Sequence, residues 1–310
     1  MSADLRTVIS SSPSFGRYSQ EPVALLRDAG CEVHLLERGD TRALLAALPG
    51  ADAWITGFEP VDATTLSGAT RLKVVAKCGA GMDNFDLDYL AGRGIATVNV
   101  PGGNAGAVAE YTLAQVLSLA RGLGPSDAAT RAGRWSPTIG MGLQGRTLGV
   151  VGLGAIGREV VRLATAFGMS VVVADPVADA GTVRAAGGEL VGLPELLRRS
   201  DVVTLHVPLT EDTRHLIGAA ELAAMPDHAL LVNDSRGGVV DEQAVAAALH
   251  AGTLGGAALD VFEREPLSAD DPLLTAPRLL LSPHTAGYSD AALAVVTHRC
   301  AASLLAALDA

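Results

Sequence analysis

Short apolar runs alternate along the whole chain with stretches whose apolar positions recur at helical spacing. That alternation predicts an α/β protein built on parallel sheets. Reading from the start, "RTVIS", "CEVHLLE", "DAWITG" and "RLKVVAKCGAG" are predicted strands, with helices in "EPVALLRDAG" and "TRALLAALPG". The glycines closing those two helical stretches fit C-terminal stops. From Thr147 to about Pro283 the strand–helix rhythm resumes. Between these regions, "NAGAVAEYTLAQVLSLAR" is a predicted helix with small or apolar residues on nearly every side, so it is buried either in a core or against a second copy of the chain. "GLGPSDAATRAGRWSPTIGMGLQG" is the least regular stretch, and the final "SDAALAVVTHRCAASLLAALDA" is an amphipathic helix expected to pack back on the first domain. No repeat or low-complexity tract is visible.

Composition narrows the class. The 310 residues allow about two domains, and 49% hydrophobic with 18% charged residues is globular. A net charge of −11, with Lys73 and Lys77 the only lysines, argues against nucleic acid or an anionic membrane as partner. Cys31, Cys78 and Cys300 are far apart and show no metal-ligand spacing, so no metal is expected and reduced thiols are. The opening "MSADLRTVISSSP" lacks a signal-peptide pattern, and no run of apolar residues is long enough to span a bilayer. A soluble, cytoplasmic protein is expected.

"RTLGVVGLGAIGREVVRLATAFGMSVVVADP" carries the most specific local signal. A predicted strand runs into Gly152-x-Gly154-x-x-Gly157, followed by a helix and a second strand, as dinucleotide-binding units require. Gly152 allows the tight turn, Gly154 admits the pyrophosphate, and Gly157 lets helix and strand pack closely, with the helix N-terminus holding the phosphates. Asp175, ending the second strand, can accept bonds from the ribose hydroxyls and repel a 2′-phosphate, which favours NAD over NADP; the bland alternative is a turn residue before Pro176.

Three more predicted strands end abruptly in polar or charged residues: "HALLVNDS" before Arg236, "GGAALDVF" before Glu265 and "RLLLSP" before His284. In a parallel sheet these ends share one edge with Gly152. Such a trio suits hydride transfer to a 2-keto acid. Arginine's planar fork can hold a carboxylate and the adjoining carbonyl, and histidine can donate a proton to the carbonyl oxygen. Glutamate on the other ring nitrogen fixes the tautomer and keeps the imidazole cationic. The glycines after Arg236 are expected to let ligands approach the backbone. His206, ending "VVTLH", either lines the cofactor pocket or makes a backbone bond. His34, His215, His228, His250 and His298 lie on helices or connections without a matching partner.

"VVGLGAIG", "LVNDSRGGVVDE", "ALDVFEREP" and "LSPHTAG" resemble the D-isomer-specific 2-hydroxyacid dehydrogenases over essentially the whole chain, with support from "CGAGMDNFDLD" and "PGGNAGAVAEYTLAQVLSLAR". The resemblance implies two lobes: a smaller flavodoxin-like substrate domain, 1–101 with 286–310, and an inserted Rossmann-like NAD-binding domain, 102–285, with the active site in the cleft. It implies Arg236, Glu265 and His284 as catalytic residues. It implies cofactor contacts at Gly152, Gly154, Ala155, Ile156, Gly157, Asp175, His206, Pro208, Asp234, Ser235, Arg236, Asp260, His284 and Gly287, with Asp260 on the nicotinamide amide. It places the substrate carboxylate on Ala80 and Gly81, with Asn104 nearby, and implies a homodimer acting on a small 2-keto or 2-hydroxy acid.

Two departures bear on substrate. Phosphoglycerate-type members often carry arginine just after the strand matching "DAWITG", where this chain has Glu59, which repels a phosphorylated substrate unless it points away; Lys77 either restores a positive charge or snorkels from a strand. The sequence ending at Ala310 is expected to leave out a C-terminal regulatory domain. Competing readings are phosphite or phosphonate-type oxidation on the same scaffold, and a non-catalytic NAD-binding adaptor. Formate oxidation is disfavoured, since those relatives carry glutamine where this chain has Glu265.

Overall fold

In the computed structural model residues 5–310 are described. The opening stretch read for a leader begins outside them. The chain forms two compact units, residues up to Asn104 with Tyr288–Ala310, and Ala105–Gly287.

The first unit runs β1 (Arg6–Ser10), α1 (Glu21–Asp28), β2 (Cys31–Leu35), α2 (Thr41–Ala47), β3 (Ala53–Thr56), β4 (Val74–Lys77), α3 (Leu87–Gly92) and β5 (Ala96–Val98). Its five strands are parallel in the order β2-β1-β3-β4-β5, the flavodoxin-like winding. Period-two alternation survives inside the continuous apolar runs. Ala53 and Ile55 face one cluster with Val23 and Leu26, while Trp54 faces the other with Leu44, Leu48 and Leu90. Trp54 is fully buried, and its indole N–H donates to Ser11 Oγ at 3.0 Å, so no polar group is stranded.

The second unit begins with α4 (Ala105–Arg121) and α5 (Leu123–Arg131). It continues with β6 (Thr147–Val151), α6 (Ala155–Ala166), β7 (Ser170–Ala174), α7 (Ala180–Ala186), β8 (Glu189–Leu190), α8 (Leu193–Arg199) and β9 (Val202–Leu205). It closes with α9 (Ala219–Ala223), β10 (Leu230–Asn233), α10 (Glu242–Ala251), β11 (Gly256–Leu259) and β12 (Leu279–Leu281). The seven strands are parallel in the order β12-β11-β10-β9-β6-β7-β8, reversing direction of growth between β6 and β9. That is the doubly wound dinucleotide-binding order with its switch point at β6/β9, where ligands bind outside the strand ends. Val150, Val173, Val202 and Val232 pack under α4 and α6, while Val172, Val203, Leu205 and Leu231 pack under the helices of the other face.

α4 buries Ala109, Leu113, Val116 and Ala120 in the core of its own unit, while Ala107, Tyr111 and Leu117 stay partly exposed and Ala114 exposed. The last helix, α11 (Asp290–Leu308), buries Val296, Cys300, Ala301 and Leu304 in the first unit's core. Among the described residues it is also the one helix long and apolar enough to cross a membrane, with 33% of that window buried.

Two expectations need correction. Gly50 is no left-handed stop: a short 3-10 turn, Leu48–Gly50, follows α2, because Pro49 cannot donate the next helical bond. The stretch expected to be least regular contains α5, although none of its residues is buried, which is why its sequence shows no apolar face.

Candidate active site

At the end of β6 the glycine loop has the shape a pyrophosphate needs. Gly152 sits at φ 93°, and a Cβ there would lie 2.7 Å from the His206 carbonyl oxygen. A Cβ on Gly157 would lie 2.2 Å from the Gly152 carbonyl, so α6 can approach β6 only with glycine here. A Cβ on Gly154 would meet nothing within 4 Å, leaving the open approach that a phosphate would use. Gly154 and Ala155 are exposed, Ile156 packs partly into the core, and the N-terminus of α6 carries no side-chain cap. The residues present therefore fit NAD.

The Asp175 carboxylate is bonded within the protein itself. It accepts from the Leu153 N–H at 2.7 Å, and from the N–H groups of Val177 and Ala178 at 2.9 and 3.2 Å. It staples the glycine loop to the turn after β7, the part that the turn-residue alternative gave it. The His206 ring does not make the expected backbone bond. Its Nε2 pairs with Thr204 Oγ1 at 3.0 Å, its buried Nδ1 has no partner, and burial pulls its pKa down to about 3, so the ring is neutral. Pro208, exposed, accepts the Thr213 hydroxyl at 2.6 Å.

Arg236, Glu265 and His284 follow β10, β11 and β12, three adjacent parallel strands, and therefore share the edge carrying Gly152. His284 Nδ1 lies 2.9 and 3.1 Å from the two Glu265 oxygens. A carboxylate can only accept, so Nδ1 carries the proton and Nε2 is left to exchange one. Burial pushes the Glu265 carboxyl up, but the His284 bond and charge, the Phe262 N–H and the Arg236 guanidinium together hold it below its ordinary value. The side chains of His284 and Glu265 are 32% and 35% exposed, enough for a substrate to reach.

His284 is held unusually, at φ 53°, a left-handed conformation costly for a non-glycine residue. The neighbouring carboxylate over-determines it. Asp260, 1% exposed, accepts from Ser282 Oγ at 2.6 Å, Thr285 N–H at 2.9 Å and Ala286 N–H at 2.8 Å, while its carbonyl accepts the His284 N–H at 2.8 Å. Asp260, expected on the nicotinamide amide, thus anchors the loop that presents the histidine and runs on to Gly287. On the arginine side, Asn233 Oδ1 accepts both the N–H and the hydroxyl of Ser235, and Asn233 Nδ2 donates to the Arg236 carbonyl at 3.0 Å. Arg236 Nη1 donates to the Ser235 carbonyl at 2.7 Å. Gly237 was expected to admit ligands, but the chain itself fills the space: a Cβ there would lie 1.9 Å from the Phe262 carbonyl oxygen.

The partners of Asp234 had no sequence signal. Asp234, 6% exposed, accepts the Thr112 hydroxyl at 2.6 Å, and the Gln115 amide donates to both its oxygens at 3.0 Å. Burial, with the nearby Asp260 charge, raises this carboxyl to about 7 against those donors. Thr112 and Gln115 sit one turn apart on α4, a helix read only as apolar. Nor did the sequence reading find partners for the remaining histidines. His215 pairs with Glu263 at 2.6 Å, His228 with Asp201 at 2.8 Å and His298 with Glu21 at 2.7 Å, while His34, which lies in β2 and not on a helix or connection, pairs with Glu32 at 3.2 Å.

In the first unit, Ala80 and Gly81 follow β4 in a partly exposed loop, where Asn99 Nδ2 donates to the Ala80 carbonyl at 2.6 Å. Asn104 closes the unit. Glu59 turns back on its own loop, accepting from Thr56 Oγ1 at 2.8 Å and from the N–H groups of Gly57 and Phe58 at 3.2 Å. Its charge is offset there, which removes the argument it offered against phosphorylated substrates. Lys77 Nζ donates to the Gly57 carbonyl and to Asn84 Oδ1, and stands 5.5 Å from the Phe58 ring.

With this geometry in place, residues 113–286 match the model of the D-isomer specific 2-hydroxyacid dehydrogenase NAD binding domain. The chain belongs to that family. It is 41% identical to a glyoxylate reductase of Korarchaeum cryptofilum across 74% of this chain and 71% of the relative. It is 38% identical to a D-3-phosphoglycerate dehydrogenase of Archaeoglobus fulgidus across 86% of this chain and 51% of the relative. The chain thus spans about half the length of the phosphoglycerate dehydrogenases it matches. Among solved structures, D-lactate dehydrogenase from Aquifex aeolicus, complexed with NAD and lactic acid, superposes with a TM-score of 0.86 at 28% identity, covering 97% of this chain and 95% of the other. Residues 113–286 of this chain therefore form an NAD-binding domain of that family.

Proposed function

We propose that the protein interconverts a small D-2-hydroxy acid and its 2-keto acid at the expense of NAD or NADH. The observation that carries this reading is the His284–Glu265 pair, hydrogen-bonded at 2.9 Å on the strand edge that also holds the glycine loop. The bound nicotinamide supplies or takes the hydride. The chain's own residues do the rest. Glu265, held ionised, keeps the proton on His284 Nδ1 and steadies the imidazolium. His284 Nε2 gives its proton to the carbonyl oxygen in reduction and takes it back in oxidation. Arg236 holds the carboxylate and carbonyl oxygen through its planar fork. Ala80, Gly81 and Asn104 are assigned to the substrate carboxylate, and the first unit to substrate binding. Gly152, Gly154, Ala155, Ile156, Gly157, Asp175, His206, Pro208, Asp234, Ser235, Asp260 and Gly287 are assigned to the cofactor or its surroundings.

A homodimer fits the same reading. α5 buries none of its residues, and Trp135 and Ile139 just beyond it are 89% and 105% exposed, an apolar stretch that a second copy would cover. A cytoplasmic setting is supported by three free thiols.

The test is NADH oxidation with glyoxylate, hydroxypyruvate, pyruvate and phosphohydroxypyruvate, on the wild type and on Arg236→Ala. Turnover of at least one acid is expected, with the variant losing turnover while binding NADH normally. Tight NADH binding without turnover of any acid would defeat the dehydrogenase reading and favour an adaptor.

A further inference from the structure

Two cysteines that the sequence separates by most of its length meet in the first unit. Cys78 follows directly on β4 and leads into Gly79, Ala80 and Gly81, while Cys300 lies midway along α11. Cys78 packs against the apolar cluster that contains Cys300, and each thiol is the strongest electrostatic neighbour of the other. Cys78 Sγ is also 3.5 Å from Ser14 Oγ, which in turn lies 3.3 Å from Ser12 Oγ. The two thiols differ in exposure: Cys300 is 1% exposed in the apolar core with Val296 and Leu304, whereas Cys78 is partly exposed.

We propose that Cys78 and Cys300 form a redox-active dithiol, with Cys78 the thiol that reacts with a peroxide and Cys300 the thiol that resolves it into a disulfide. The environment divides the roles. The Cys300 neighbour outweighs burial, and with the two serines and the Lys77 charge draws the Cys78 thiol below its ordinary value, which favours the thiolate there. The Cys78 neighbour and burial push Cys300 up, keeping it protonated. The thiolate attacks one peroxide oxygen, the O–O bond breaks, and hydroxide leaves to take a proton as water. The resulting Cys78 sulfenic acid is then displaced by Cys300 sulfur, which forms the S–S bond and releases a second water. Two thiols are oxidised and one peroxide is reduced to two waters.

Cys31 does not share this chemistry. It is buried, its thiol is pushed up chiefly by that burial, and it faces Arg6, Asp309 and Asp52 instead of a second thiol. The disulfide would tie α11 to the root of the loop carrying Ala80 and Gly81. It would thereby stiffen the segment assigned above to the substrate carboxylate, and this consequence alone rests on the proposed function.

The test treats the reduced, full-length protein with hydrogen peroxide, blocks remaining thiols with N-ethylmaleimide under denaturing conditions, and maps peptides by mass spectrometry. Two of the three thiols should be lost, the mass should fall by two hydrogens, and the Cys78 and Cys300 peptides should be joined until dithiothreitol is added. In Cys300→Ser, dimedone should trap a sulfenic acid at Cys78 and no joined peptide should form. Failure to form the joined peptide in the wild type, or dimedone labelling that misses Cys78 in Cys300→Ser, would overturn the dithiol. Keto-acid turnover is followed in parallel, with a reversible loss expected as the cross-link forms and NADH affinity retained. A joined peptide in a protein that turns over no keto acid in either redox state would sink the dehydrogenase reading and leave the dithiol standing.

Discussion

Gly237 and Phe262 are in backbone contact so close that a single methyl group cannot fit between them: a Cβ on Gly237 would lie 1.9 Å from the Phe262 oxygen and 2.1 Å from its carbonyl carbon. This contact locks the segment carrying Arg236 to the segment carrying Glu265. Gly237→Ala should therefore force the two apart while leaving both sheets folded. A fall in kcat/KM of about 10²-fold is expected, the scale of a ~1 Å displacement of a catalytic group. Steady-state kinetics beside circular dichroism would check it; wild-type kinetics in the alanine variant would mean the contact does not set the site.

Glu265→Gln keeps the shape of the pair and removes the charge. The rate of keto-acid reduction should fall by about 10²- to 10³-fold, as for loss of general acid–base assistance, with NADH affinity unchanged. In the wild type the carboxyl sits below its ordinary 4.5, so its support for His284 is complete above that pH and fades as pH falls through the depressed value. Loss of His284 support on acidification should begin below pH 4.5 in pH–rate profiles of wild type against Glu265→Gln.

Asp234 has the opposite sign. Its carboxyl is raised from 3.8 to about 7 when folded, so the folded state binds a proton the unfolded state releases. Stability from this group is present at acid pH and is lost as pH rises from about 4 to about 7. Asparagine keeps one acceptor oxygen for Thr112 and Gln115 without the buried charge. Asp234→Asn should unfold at higher denaturant than wild type at pH 8, by up to about 4 kcal/mol on the full shift, and the gap should close at pH 4. Equal midpoints at both pH values would show that the carboxylate is not strained by burial.

Asp260→Ala removes one acceptor and orphans three donors around a histidine in a left-handed conformation. A loss of about 2–4 kcal/mol is expected from chemical denaturation, with turnover falling further than the stability change explains, because the histidine loop is released. Asp260→Asn, able to accept but not to carry charge, should recover part of both.

Much of this was legible in the chain. The apolar runs fixed the parallel sheets because a strand buried on both faces must be apolar throughout. Gly152, Gly154 and Gly157 announced the loop, since only glycine tolerates φ 93° at one and the 2.2 Å approach at another. The strand-end positions of Arg236, Glu265 and His284 were readable because parallel strands deliver their C-terminal ends to one edge. α5 was missed because a helix with nothing to bury leaves no apolar stripe.

What the sequence determined by itself was local: which segments are strands, where the backbone needs glycine, and which side chains stand at strand ends. The tertiary structure alone decided which polar groups meet across distance. Thr112 and Gln115 reach Asp234, Asp260 holds the loop of His284, and Cys78 meets Cys300. Hydrogen bonds and charge interactions fade within a few ångströms and ignore chain separation. No periodicity along the chain records them, and they exist only once packing has brought the partners together.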